Sequence, residues 1–229
     1  MGATAIGIKT KQGVVLAVEK RLSSPLLIPS SVEKIMEIER HVGAAMSGLT
    51  ADARILIDHA RVEATNHWFS YNEPIRIETL TQSVCDLALS FGEGRDENDQ
   101  KTKMSRPFGV ALLIAGCDDT GPHLYVFRID GCTSYLLHVH RYYSDPSGTF
   151  MHVKARAIGT GAEGAQNNLQ EGYKDDLSLE DAKVLALSTL KQHMEEQLTN
   201  INVELAIVTP EDGFHVCGTD QLDAVIAKL

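Results

Sequence analysis

Residues 108–117, FGVALLIAGC, form a nearly uninterrupted apolar run. At far fewer than the roughly 18 apolar residues of a membrane span, the run reads as a β-strand buried on both faces. Such a strand must be covered above and below, which points to a layered fold. Two strand pairs precede it. Thr4–Lys9 alternates imperfectly and Val14–Val18 is continuously aliphatic, with Lys11-Gln12-Gly13 as the turn; Lys34–Glu39 and Val42–Ser47 flank Arg40-His41. A helix is expected over Ala51–Trp68, with Thr50 as its N-cap and Ile55, Ile57, His59, Val62 and Trp68 at helical spacing. Leu80–Phe91 reads as a second helix with Leu80, Val84, Leu87 and Phe91 on one face, followed by a solvated loop at GEGRDENDQKTK.

Beyond the apolar strand, strand pairs are expected around Leu124 and Thr149–Val153, then helices over Gly161–Tyr173 and Leu179–Leu198. The latter opens with Ser178 three residues before Asp181 and carries Ala182, Leu185, Leu187, Leu190 and Met194 on its buried side. A late strand, Val203–Val208, and a short helix, Asp220–Leu229, complete the chain. The order predicts an α+β fold of two stacked sheets with helices on each outer side.

With 229 residues and 43% hydrophobic content, one domain spanning 1–229 can build a continuous core. The net charge of −10 supplies no basic field for phosphates, so nucleic acid is not an expected partner. No segment suits a membrane, and residues 1–8 lack the shape of a signal peptide, which leads to an expected location in cytoplasm and nucleus. Cys85, Cys117, Cys132 and Cys217 show no CxxC spacing and lie in apolar stretches, as buried thiols of a reducing compartment would.

The amino-terminal hairpin carries the chemical question. A Thr, Ser or Cys at a mature N-terminus attacks a carbonyl because its own α-amine takes the proton. Met1, Gly2 and Ala3 occupy that edge here, and the nearest hydroxyl, Thr4, has its nitrogen in an amide. An alanine has no oxygen with which to attack.

Other motifs carry less. Gly159-Thr160-Gly161-Ala162-Glu163-Gly164 spells GxGxxG, but Glu180 and Asp181, at the distance of a ribose-binding acid, begin a helix instead of ending a strand. The glycines read as a tight turn and close helix packing. His138, His140 and His152 could share one face, yet no fourth ligand is evident, and the expectation is surface histidines with no metal and no cofactor. Asp175-Asp176 and Glu195-Glu196 read as turn and helix-face charges, and Trp68 as core or contact surface.

The strings SGLTADAR at 47–54, RPFGVALLIAG at 106–116, DPSGTF at 145–150, EGAQ at 163–166 and LKQHMEE at 190–196, in that order, resemble the alpha-type subunits of the proteasome core particle. Within that family, residues 18–27 and 80–94 are similar to the fifth alpha type. The resemblance implies a four-layer αββα sandwich of the N-terminal-nucleophile hydrolase type. It also implies a hetero-ring of seven alpha subunits stacked on beta subunits, and a structural, gating role in ubiquitin-dependent protein degradation. Positions that hold a threonine nucleophile, an aspartate and a lysine in catalytic relatives fall here on Ala3, Glu19 and Lys34, of which the lysine alone is kept.

In the alpha family the lysine at that position lines a pocket for the C-terminal carboxylates of regulatory-particle ATPases and other activators. Lys34, Gly2 and Leu49 match the family's pocket positions, with no catalytic residue and no metal ligand implied. The alternative for Lys34 is a solvated ion pair with Glu19 or Glu33. Rival functions are an autonomous N-terminal-nucleophile threonine hydrolase that matures by cutting before Thr4, and a free adaptor outside the particle.

Two departures stand out. Family members begin with a gate tail and a helix before the point where this sequence starts, and a start codon set too late is the expected account. The block Val126–Tyr143 interrupts the family pattern, and its apolar composition suits neither a surface loop nor a vacant core. It is read either as a β-hairpin turning at Asp130-Gly131 or as an intron translated in frame.

Overall fold

The computed structural model describes residues 2–21, 24, 26–90, 106–128 and 150–229. In these, β1 (Ala5–Lys9), β2 (Val14–Glu19), β3 (Ile35–Glu39) and β4 (Val42–Gly48) lead into α1 (Thr50–Tyr71) and α2 (Ile77–Leu89). β5 (Val110–Asp118), β6 (Gly121–Arg128), β7 (Phe150–His152) and β8 (Ala155–Ile158) follow, then α3 (Ala162–Gly172) and α4 (Leu179–His193). β9 (Val203–Thr209), β10 (Gly213–Val216) and α5 (Thr219–Ile226) close the chain.

The described strands form two five-stranded sheets, ordered β10-β9-β2-β1-β8 and β3-β4-β5-β6-β7. Every pairing is antiparallel, with β1 and β2 in register from Ala5 opposite Val18 to Lys9 opposite Val14. The alternation of side chains along β5 shows why its sequence is apolar throughout. Leu113, Ala115 and Cys117 join Leu16, Val18 and Ala206 in a core between the sheets, whereas Val110, Leu112 and Ile114 join residues of α1 and α2. A third core unites Ile6, Ile8 and Val15 with α3, α4 and α5. At one margin the Phe214 N–H donates to the Arg40 carbonyl at 2.7 Å, tying the turn between β3 and β4 to the opposite sheet.

Several expectations need correction. Thr50 is the first residue of α1 and Leu49 occupies the cap position with no side-chain hydrogen bond. The buried face of α1 is Asp52, Ala53, Leu56, Ile57, Ala60 and Ala64; of the residues at helical spacing Ile57 is buried, whereas Ile55, Val62 and Trp68 are exposed, and Leu56 with three alanines fills the rest of the face. α2 starts earlier, at Ile77, and α4 ends at His193, short of Leu198. The Ser178 hydroxyl does accept the Asp181 N–H at 3.1 Å, the cap the sequence predicts.

Cys85 and Cys117 are buried and Cys217 is half-buried; Cys132 lies outside the described residues. Burial pushes the Cys85 thiol up to about 12 and the Cys117 thiol up to about 11, which keeps both protonated and inert. The block from Val126 also needs revision at its start. Val126 lies in the core between the sheets and Phe127 is fully buried against the α1 and α2 side, paired with Phe150 on β7. The remainder, 129–143, with the two readings offered for it, lies outside the described residues, as do Phe91, the loop 92–103, His138 and His140.

Candidate functional site

The start of β1 is filled from within the chain. Hairpin register sets Glu19 opposite Thr4: the Glu19 N–H donates to the Thr4 carbonyl at 2.9 Å, and the Thr4 N–H donates to Glu19 Oε2 at 3.2 Å. The Thr4 hydroxyl is fully buried and accepts the Gly161 N–H at 3.2 Å. Ser47 Oγ donates to the Ala3 carbonyl at 2.7 Å, and the Thr160 N–H and hydroxyl both donate to the Gly2 carbonyl, at 3.1 and 2.7 Å.

The glycine-rich stretch serves this contact. Gly159 has φ +96°, and a Cβ there would stand 2.3 Å from the Ala3 carbonyl oxygen; at Gly164 it would meet the His193 ring at 2.4 Å. The stretch is therefore a turn and a close helix packing, as its sequence context predicts.

Lys34, Leu49 and Gly2 converge at the end of β4. The Met46 N–H donates to the Lys34 carbonyl at 2.9 Å, while Leu49 follows Gly48 and is half-exposed. A Cβ on Gly2 would fall 2.3 Å from Ser47 Oγ and 2.4 Å from the Gly48 nitrogen. Packing within the chain is thus enough to require a glycine at position 2.

The Lys34 ammonium donates to Thr50 Oγ1 at 3.3 Å, against the first turn of α1. Burial lowers its pKa and the charge of Glu204 opposes that shift. Neither Glu19 nor Glu33 holds it: Glu19 Oε1 accepts instead from Arg21 Nε at 3.1 Å, and Glu33 is exposed with no ion pair among the described residues.

A second anchor underlies this corner. Asp52 in the first turn of α1 receives Arg106 through two nitrogens, at 2.8 and 2.9 Å, and the Gly109 N–H at 2.8 Å. The hydrogen bond from Arg106, with that from Gly109, holds the Asp52 carboxyl below its usual range against the cost of burial. The Asp52 charge is thus balanced by the Arg106 guanidinium. The Lys34 ammonium and the first turn of α1 thus lie together next to the half-exposed Leu49 side chain.

Sequence reading missed Thr50 as the partner of the lysine, and missed Asp52 and Glu204. The bond to Thr50 was within reach, since Thr50 directly follows Leu49; the other two act through residues far away in the chain.

Elsewhere, His152 Nε2 lies 3.3 Å from His123 Nδ1 and 3.4 Å from Lys9 Nζ. No group of three or more metal-ligating side chains occurs among the described residues. No described helix is long and apolar enough to cross a membrane. Lys154 pairs with Asp175 at 2.6 Å and Lys11 with Asp176, so the acidic turn is a set of surface ion pairs.

Comparison with known proteins agrees with this architecture. The proteasome subunit family matches residues 1–136 and 138–208. The chain is 53% identical to proteasome subunit alpha type-5 of Dictyostelium discoideum over 225 residues, covering 98% of this chain and 86% of that protein. It is 51% identical over 228 residues to the probable proteasome subunit alpha type-5 of Schizosaccharomyces pombe, covering 100% and 85%. With the alpha type-5 subunit of Drosophila melanogaster the identity is 48% over 229 residues, covering 100% and 86%. Two antiparallel sheets with outer helices, a hairpin edge sealed from within and a match across nearly all of its length lead to one conclusion: the chain belongs to the proteasome subunit family.

Proposed function

We propose that this chain is a non-catalytic alpha-ring subunit of the proteasome core particle, most like the alpha type-5 relatives it matches. It is read as one alpha-type domain with the four-layer αββα arrangement, placed in a seven-membered hetero-ring beside other alpha subunits and above beta subunits. Its contribution to ubiquitin-dependent degradation is ring assembly, gating and the docking of activator C-terminal tails. Cytoplasm and nucleus are the compartments in which it would act.

The observation that carries the non-catalytic reading is the state of the hairpin edge. Ala3 offers a methyl group, and the nearest hydroxyl, on Thr4, is buried, hydrogen-bonded and attached to an amide nitrogen that faces Glu19. Nucleophilic attack needs a free hydroxyl and a base that takes its proton, and this edge supplies neither. The docking reading is supported by the half-buried Lys34 ammonium beside Leu49 and the start of α1. A terminal carboxylate would meet the cation and the helix N-terminus together while its preceding side chain lies on Leu49.

Two measurements test the assignment. Native mass analysis of the cellular protein should find it in an assembly of core-particle size; a free monomeric species would contradict ring membership. An N-terminal-threonine-directed covalent inhibitor should leave the purified chain unmodified, and an adduct at Thr4 would establish the rival hydrolase.

A further inference from the structure

We propose that Glu204, together with Lys20, is a positioning residue for Lys34: it fixes the backbone of the docking lysine while leaving the ammonium uncommitted for an incoming carboxylate. The inference rests on the docking reading above and adds the pair of groups that would keep that site ready.

Glu204 is the second residue of β9, and both its oxygens are used. Oε1 lies 2.5 Å from Lys20 Nζ, and Oε2 accepts the N–H groups of Lys34 at 2.8 Å and Ile35 at 3.0 Å. The Lys20 and Glu204 side chains are only 9% and 13% exposed, so the pair is held away from solvent screening. On the other side of the lysine, its carbonyl accepts from Met46 on β4. The Lys34 peptide is therefore gripped from two sheets, and only its side chain retains freedom. Ligand binding then orders little that is not already ordered.

The division of labour within Glu204 matters as much as the grip. With Oε1 on Lys20 and Oε2 on two backbone N–H groups, the carboxylate forms no direct ion pair with the Lys34 ammonium. Its charge still acts on that ammonium, favouring the protonated form against the effect of burial. The other acids of the corner are committed: Glu19 to Arg21 and the Thr4 N–H, and Asp52 to Arg106 and Gly109; Glu33 is exposed. A carboxylate arriving at Lys34 thus meets a cation that no acid among the described residues has neutralised by contact.

A clamp that merely joined the sheets would leave the titration of Lys34 alone, and a pH profile separates the two roles. The test uses assembled core particles carrying the variant chain, and a fluorescent peptide with a free C-terminal carboxylate beside its C-terminal amide. Binding of the free acid requires protonated Lys34 and fades as pH rises through the lysine's pKa. Glu204→Gln should weaken that binding by roughly tenfold and move the alkaline limb to lower pH, with Glu204→Asp recovering part of both. The double variant Lys20→Met/Glu204→Met removes the buried pair as a unit, which proteins commonly tolerate in stability, and should show the same two changes. Wild-type affinity with an unmoved limb in particles bearing the double variant would overturn the proposal. In Lys34→Ala, the free acid and the amide should bind alike. If that variant still favours the acid, the docking reading falls and this inference with it; if it loses the preference while the Glu204 variants behave as wild type, only this inference falls.

Discussion

The closed edge at Ala3 and the open corner at Lys34 lie at the same end of the molecule, bridged by β4, yet they treat polar groups in opposite ways. At the edge, every hydroxyl within reach is spent on the backbone: Ser47 on the Ala3 carbonyl, Thr160 on the Gly2 carbonyl, Thr4 on the Gly161 N–H. At the corner, the Lys34 ammonium has one hydrogen-bond partner among the described residues, the neutral Thr50 hydroxyl, and Leu49 is left half-exposed. The contrast separates polar groups used up in packing from a charge left partly exposed. A hydroxyl locked into buried hydrogen bonds contributes stability and resists chemistry, whereas a partly solvated cation with no ion pair among the described residues contributes little stability, the state that the proposed docking role requires.

The largest test of this contrast is Gly159→Val. Its positive φ and the 2.3 Å approach to the Ala3 carbonyl leave no room for a side chain, and we expect a loss of at least about 3 kcal/mol in unfolding free energy. Gly121→Ala serves as the control. Gly121 has φ +118° but nothing within 4 Å, so the cost there should be backbone strain alone, about 1 to 2 kcal/mol by urea unfolding. Equal losses at the two glycines would mean that the edge is not tightly sealed.

Asp52→Ala should follow, with about 1 to 3 kcal/mol lost, because it leaves the Gly109 N–H without its acceptor at the root of the corner, while the exposed Arg106 turns to solvent. Its pH dependence has a definite sign. The Asp52 carboxyl is depressed in the folded state, so its contribution is full above the unfolded value of about 3.9 and disappears as pH falls through the folded one. Asp52→Asn should therefore flatten the acid side of the stability curve, and an unchanged acid limb would show that the ion pair contributes nothing.

Ser47→Ala comes next, removing a buried hydrogen bond at the edge for about 1 to 2 kcal/mol, read as a lowered thermal midpoint. The smallest stability effect belongs to Lys34→Ala, within about 0.5 kcal/mol by the same measurement, since the side chain has no ion-pair partner among the described residues. Tail-peptide binding, in contrast, should fall most there. If Lys34→Ala destabilised the fold as strongly as Ser47→Ala, the corner would have to be regarded as structure and not as a binding surface.

Local signals predicted local outcomes. The hairpins of β1 with β2 and β3 with β4, the Ser178 cap, and the two-faced burial of β5 follow from spacings that neighbouring residues set among themselves. The inward face of α1 followed only in part, since of the large apolar residues at helical spacing Ile57 is buried while Ile55, Val62 and Trp68 are exposed. The sheet instead takes the small side chains Ala53, Ala60 and Ala64, and takes Asp52 because Arg106 meets it from another segment. In the same way, the composition of the block from Val126 suggested a misfit, yet pairing with β5 and β7 gives Val126 and Phe127 places in two cores.

The sequence by itself determined which groups are present at each place along the chain: an alanine where a nucleophile would stand, a lysine at the entry to β3, and strands and helices in an order that admits few folds. Only the tertiary structure decided what those groups meet. Glu204 reaches Lys34 across 170 positions and Arg106 reaches Asp52 across 54. Coulomb energy and hydrogen bonding act over a few ångströms of space, and separation along the chain has no bearing on them once the sheets have packed.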